Sequence, residues 1–142
     1  MTVPAPVALV ADDSPTIRGF HAAVLRAAGF AVHEAENGAA ALAVLAGQPV
    51  DLAVVDVNMP VMDGLTFLER MTDVGARPGA VLVVSSEGAD ADVVEAVRRG
   101  ADWYVVKPVD ADTLTDLARR LTAADAAPLA FAVPAAPAAG AS

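Results

Sequence analysis

Cysteine is absent from this chain of 142 residues. That excludes disulfides, thiolate nucleophiles and thiolate metal sites, but it does not fix the compartment. No unbroken apolar run approaches the ~20 residues needed to cross a bilayer, although 56% of the residues are hydrophobic. The first residues, Met1-Thr2-Val3-Pro4-Ala5-Pro6, lack the basic region of a signal peptide, so a cytoplasmic protein is expected. Positive charge is also scarce. Nine Lys and Arg stand against eighteen Asp and Glu, for a formal charge of −9. Nucleic-acid affinity leans on cationic contacts, so neither nucleic acid nor a membrane is an expected partner. There is no G-x-G-x-x-G and no P-loop.

What is present is a rhythm. Short apolar runs at Val7–Ala11, Ala31–Ala35, Leu52–Asp56, Ala80–Ser85 and Asp102–Val106 read as buried parallel strands. Helical spacing fills the gaps. Ile17, Phe20, Val24, Leu25 and Ala28 fall on one stripe, as do Leu65, Leu68 and Met71, and Leu114, Leu117 and Leu121. Ser14 is placed to cap the first helix, with Pro15 at its first position. Asp63 and Asp110 are placed to cap the third and fifth. Gly29, Gly47, Gly75 and Gly100 each follow a helical stretch, where a left-handed terminator is expected. Strand and helix alternating with short loops predict an α/β fold, a doubly wound parallel sheet with helices on both faces. The expected division is an extension over 1–5, one domain over 6–122 and an Ala/Pro-rich, extended tail over 123–142.

The strands end in chemistry. Asp12 and Asp13 follow the first, Asp56 ends the third, Ser85 ends the fourth, and Lys107 follows the fifth. In a parallel sheet all carboxyl ends share one edge, and ligands bind there. Three crowded carboxylates repel one another and raise one another's pKa. A hard divalent cation removes that penalty, and Mg²⁺ prefers oxygen ligands while keeping several waters. Asp12, Asp13 and Asp56 are the candidate metal ligands, with the backbone carbonyl of Asn58. Asp56 is the candidate phosphoryl acceptor, since a carboxylate can take a phosphoryl group covalently. Phosphoryl transfer needs positioning and charge neutralisation more than acid–base chemistry. Lys107 offers a point-charge ammonium and Ser85 a hydroxyl.

The segments Val10-Ala11-Asp12-Asp13-Ser14, Val55-Asp56-Val57-Asn58-Met59-Pro60-Val61-Met62-Asp63-Gly64, Val83-Val84-Ser85-Ser86-Glu87 and Gly100-Ala101-Asp102-Trp103-Tyr104-Val105-Val106-Lys107-Pro108 together resemble the receiver domains of bacterial two-component signalling, most of all the stand-alone, CheY-like kind. The resemblance covers about residues 6–122. It implies a flavodoxin-like sheet of five strands in the order 2-1-3-4-5. It also implies Mg²⁺ as cofactor and a histidine kinase or phosphotransfer protein as phosphoryl source. By the same resemblance Ser85 is the switch hydroxyl, Tyr104 the aromatic switch that turns inward, and Lys107–Pro108 a cis peptide bond. Asn58 and Glu87 stand where the family sets the lifetime of its phosphorylated state. The signal is then expected to leave through the face of helix 4, strand 5 and helix 5 to a downstream protein, in chemotaxis or a phosphorelay.

Two rivals are weaker. A phosphatase of the haloacid dehalogenase kind needs a second acid two residues after its nucleophile, where this chain has Asn58, and it uses the first strand. A receiver-like binding module acting without phosphate is expected to lose an acid or the Lys, and this chain keeps all of them. His21 and His33 read as structural or solvated, away from the strand ends. Trp103 and Tyr104 are consecutive in a strand and are expected to face opposite sides.

Overall fold

The computed structural model describes residues 4–86 and 90–123, apart from the side chains of Asp90 and Ala91. Glu87, Gly88 and the tail from 124 onward lie outside these. Five strands, β1 (Val7–Ala11), β2 (Ala31–Ala35), β3 (Leu52–Asp56), β4 (Ala80–Ser85) and β5 (Trp103–Val106), alternate with α1 (Pro15–Ala27), α2 (Gly38–Gly47), α3 (Gly64–Asp73), α4 (Asp90–Arg98) and α5 (Ala111–Thr122). All neighbouring strands are parallel, in the order β2-β1-β3-β4-β5. The fold expected from the sequence is the fold observed.

Period-two alternation divides the core between the two sheet faces. Leu9, Ala53, Val55, Val81, Val83 and Tyr104 pack with Ala41, Phe67, Met71 and Ala96 of α2, α3 and α4. Ala8, Val10, Leu52, Val54, Leu82 and Val84 pack with Leu25, Leu114 and Ala118 of α1 and α5, and Trp103 joins this side. Tyr104 and Trp103 therefore do face opposite ways. β3 and β4 are buried on both faces, which is why they read as continuous apolar runs. Burying each Val or Leu side chain contributes roughly 1.5–3 kcal/mol, so these two strands anchor the sheet edge that carries Asp56 and Ser85.

The helix starts follow their caps. Ser14 accepts from the Ile17 N–H at 3.3 Å, Asp63 from Thr66 at 2.8 Å, and Asp110 from Thr113 at 2.7 Å. Asn37 does the same for Ala40 at 2.8 Å, a cap the Ala-rich run after it did not advertise. Gly29, Gly75 and Gly100 have positive φ, as expected, but Gly47 does not. It stays in α2, and the helix stops because Gln48 is extended. Pro49 excludes the helical conformation from the residue before it. Phe20 also departs from its predicted stripe. It is 45% exposed while His21 and Ala22 turn inward, and its ring packs at 5.8 Å from that of His21. β5 begins one residue late because Asp102 serves as a clamp, accepting from the Val81 N–H and from Arg77, both at 2.8 Å.

β2 is an open edge. Its Ala31 N–H and Ala35 carbonyl bond toward β1, so Val32 and Glu34 present their backbone groups outward. Arg26 reaches over from α1 to donate to the Val32 carbonyl at 3.2 Å, and Arg18 and Arg26 both hold Glu34. Charge and a filled carbonyl blunt the pairing potential of such an edge.

The loop from β3 to α3 carries strain. The Met62 N–H donates to the Pro60 carbonyl at 2.6 Å across Val61, whose φ is 67°. That is a γ-turn closed on a β-branched residue, an arrangement the hard-sphere map disfavours. The Gly38 N–H holds the far side of the turn through the Met62 carbonyl at 2.9 Å. Val61 is 84% exposed, so replacing it forfeits little packing. Asn tolerates left-handed backbone, and Val61→Asn is expected to stabilise the chain by about 1 kcal/mol. A higher urea midpoint at unchanged slope is the measurement; an equal or lower midpoint removes the strain argument.

Candidate functional site

The carboxyl edge gathers the charged residues. β1 delivers Asp12, whose N–H donates to the Ala35 carbonyl at 3.0 Å. Its Oδ1 accepts from the Ser14 N–H at 2.9 Å, and its carbonyl accepts from the Arg18 guanidinium, also at 2.9 Å. Both interactions fix the turn into α1. β3 ends on Asp56, buried at 5% exposure. Asp13 remains exposed, and one carboxylate oxygen from each of Asp12, Asp13 and Asp56 lies within 4.8 Å of the others.

Lys107 arrives from the far side of the sheet. Its N–H donates to the Ser85 carbonyl at 2.8 Å, and its bond to Pro108 is cis. Its Nζ lies 2.9 Å from Asp12 Oδ2 and 3.2 Å from Asp56 Oδ1. Ser85 is fully buried at the end of β4. Residues 95 apart in sequence are thus in direct contact.

The electrostatics are unbalanced. Burial pushes the Asp56 carboxyl above its ordinary range, and Asp12 adds to this; the Lys107 ammonium opposes both, and Asp13 adds a little more. Burial lowers Lys107, but its hydrogen bond to Asp12 and the charges of Asp56 and Asp12 outweigh it, and the net direction is up. In formal charge, three carboxylates against one ammonium leave two negative charges in a small volume. A divalent cation matches that deficit in charge and in its preference for oxygen donors. The donor set fits Mg²⁺, and the exposed Asp13 leaves an entry side.

Beside this cluster lies a cavity of about 200 Å³ lined by Val57, Asn58, Leu65, Ser85, Asp92 and Tyr104. Three of the predicted residues, Asn58, Ser85 and Tyr104, are therefore on its wall. Tyr104 is buried. Asp92 of α4 was not foreseen, since an acid in the first turn of a helix is commonplace. His21 lies closer to the site than its place in α1 suggested. Burial lowers its pKa, while the charge of Asp12 raises it and that of Lys107 lowers it. His33 has no part in the cluster.

The sequence profile of the response regulator receiver domain matches residues 8–119. This chain belongs to that family. Among curated relatives of this receiver domain, the chemotaxis protein CheY of Bacillus subtilis is 34% identical over 109 residues, covering 76% of this chain and 90% of that protein. The transcriptional activator PfeR of Pseudomonas aeruginosa is 33% identical over 133 residues, covering 92% of this chain. The chain spans only 43% of PfeR's length. Among solved structures, the chemotaxis protein CheY4 of Vibrio cholerae superposes with a TM-score of 0.78 at 30% identity, over 83% of this chain and 99% of that one. The described residues of this receiver domain include no helix long and apolar enough to cross a membrane.

Proposed function

We propose that this receiver domain is a cytoplasmic, single-domain response regulator that accepts a phosphoryl group on Asp56 from a histidine kinase or phosphotransfer protein. The folded domain is assigned to 6–122, between a short extension over 1–5 and a tail over 123–142. The observation that carries the proposal is the Lys107 ammonium held at 2.9 and 3.2 Å from Asp12 and Asp56. It poises a cation beside a carboxylate whose charge the site does not fully neutralise.

The chain's own groups then have defined work. Asp56 supplies the nucleophilic oxygen, which bonds to phosphorus as the bond to the donor's leaving group breaks. Lys107 pairs with one of the transferred oxygens, and the Ser85 hydroxyl hydrogen-bonds another. Asp12, Asp13, Asp56 and the Asn58 carbonyl would hold Mg²⁺. When bound, that ion supplies charge neutralisation at the transferring group. The added charge and acceptors bias a two-state element, Ser85 and Tyr104, toward one arrangement. Exposed Val94, Val97 and Val106 on α4 and β5 support the face of α4, β5 and α5 as the surface a downstream protein meets, in chemotaxis or a phosphorelay. A binding module working without phosphate is disfavoured by the presence of every charged part.

The test is incubation with Mg²⁺ and acetyl phosphate, or with its beryllofluoride mimic. Covalent modification should map to Asp56, and Trp103 fluorescence should change. Modification at another residue rejects the acceptor assignment. Lys107→Ala is expected to retain Mg²⁺ binding while cutting the phosphorylation-dependent signal by roughly tenfold or more. If metal binding is lost with it, Lys107 instead organises the acidic cluster.

A further inference from the structure

Asp12 is held at four points. Its N–H donates to the Ala35 carbonyl at 3.0 Å, Oδ1 accepts from the Ser14 N–H at 2.9 Å, and Oδ2 pairs with Lys107 at 2.9 Å. The fourth hold is on its carbonyl. Arg18 Nη1 donates there at 2.9 Å, while Arg18 Nε donates to Glu34 Oε1 of β2 at 3.2 Å. Arg26 braces the other Glu34 oxygen at 3.4 Å. Arg18 closes the first turn of α1, a turn without an acid, where the helix dipole disfavours a cation. Side chains on a helix lean toward its N-terminus, so Arg18 lies back over the turn that carries Asp12 and Asp13. Its planar fork serves two acceptors in a fixed geometry, which the flexible ammonium of a lysine does not.

We propose that Arg18, anchored by Glu34, is the positioning residue that makes the acidic cluster prefer Mg²⁺ to Ca²⁺, by holding the Asp12–Asp13 peptide in one orientation. The proposal rests on the reading that Asp12, Asp13 and Asp56 hold a divalent cation. The Asp12 carbonyl and the Asp13 N–H belong to one planar peptide unit. Holding the carbonyl therefore fixes the plane from which Asp13 departs. Asp13 is the exposed member of the acidic trio, whereas Asp12 and Asp56 are buried, so it has the least packing of its own to hold it. Mg²⁺ demands a near-ideal octahedron, while Ca²⁺ accepts a looser and larger shell. A rigid Asp13 thus favours the smaller ion. Glu34 offsets the guanidinium charge, so the pair delivers a donor to the carbonyl without setting a full extra cation against the cluster.

The experiment titrates the full, unphosphorylated chain with Mg²⁺ and, separately, with Ca²⁺ by isothermal calorimetry. Arg18→Ala should weaken Mg²⁺ binding by roughly tenfold or more, the usual effect of losing a group that orients a ligand. Ca²⁺ binding should weaken much less, so the preference for Mg²⁺ falls. Glu34→Ala leaves Arg18 in place without its anchor and should shift the preference the same way. Glu34→Gln keeps an acceptor oxygen for Arg18 and should stay near the parent. If Arg18→Ala does not fold, the two Glu34 variants decide by the same outcomes. A preference equal to the parent's overturns the proposal, even where the metal-free thermal midpoint falls, because that is the mark of a structural role alone. Tighter Mg²⁺ binding, as simple removal of a cation near three acids would give, overturns it too. A parent chain that binds neither ion is a separate result and rejects the metal reading of the acidic cluster itself.

Discussion

Asp56→Asn should abolish labelling by acetyl phosphate and, at the same time, make the metal-free protein more stable at neutral pH. The two effects have one origin. The buried Asp56 carboxyl sits above its ordinary pKa because burial and the nearby Asp12 outweigh the Lys107 ammonium. A carboxyl whose folded pKa exceeds its unfolded value binds protons more tightly when folded. Its favourable contribution is therefore greatest at low pH and is lost as pH rises through the folded pKa. At neutral pH the parent chain carries that penalty and the amide does not. The ion pair with Lys107 disappears in the variant, but the upward direction of the shift says that this pair is the smaller effect. The thermal midpoint of Asp56→Asn should exceed the parent's by a few degrees at pH 7. The gap should close as pH falls into and below the ordinary carboxylate range. Added Mg²⁺ should narrow it from the other side, because a ligand that binds only the folded state stabilises the chain with the better site. A variant that is less stable than the parent at pH 7 without metal would contradict the electrostatic account. A variant that is still labelled would contradict the chemistry.

Gly64→Ala should cost more stability than any surface substitution and should disable the site with it. Gly64 opens α3 directly behind β3, and its N–H donates to the Val57 carbonyl at 2.8 Å. A Cβ there would collide with the Asp56 carbonyl oxygen and lie 2.9 Å from Val57 Cα. Both are backbone atoms of the strand end that carries Asp56, so no side-chain rotation relieves the clash. Either α3 moves away from β3 or the end of β3 is displaced. A loss of about 3 kcal/mol is expected, the upper range for forcing atoms into a packed interior. Chemical denaturation gives the stability. Phosphorylation of whatever fraction remains folded gives the second readout, and it should fall further than the folded fraction. A near-neutral Gly64→Ala would mean that α3 is free to slide.

The local signals that could be read without coordinates were those whose cause is local. Ser14, Asp63 and Asp110 cap where a short polar side chain precedes a helical stripe, and β3 and β4 announce themselves as unbroken apolar runs. The convergence of Asp12, Asp56, Ser85 and Lys107 was legible because a parallel sheet turns strand ends into neighbours, so it needed only a correct strand count. The failures have equally specific causes. Gly47 lost to Pro49, a restriction acting from two residues downstream. Phe20 and His21 were exchanged because an apolar stripe does not say which margin faces α5. Asp92 carried no signal of its own; only the packing of α4 against β5 and α3 brings it to the cavity that Ser85 also lines.

Lys107 is among the last residues of the domain to be synthesised, whereas its partner Asp12 is among the first. A ribosome-tethered chain that has emerged only through β4 owns all three acids without their counter-charge. On the proposed function, such a nascent chain, or a product truncated before the fifth strand, would lack the ammonium that pairs with the transferred oxygens. On the same reading, the 95-residue separation of Asp12 and Lys107 ties the completed site to a chain that has reached its fifth strand.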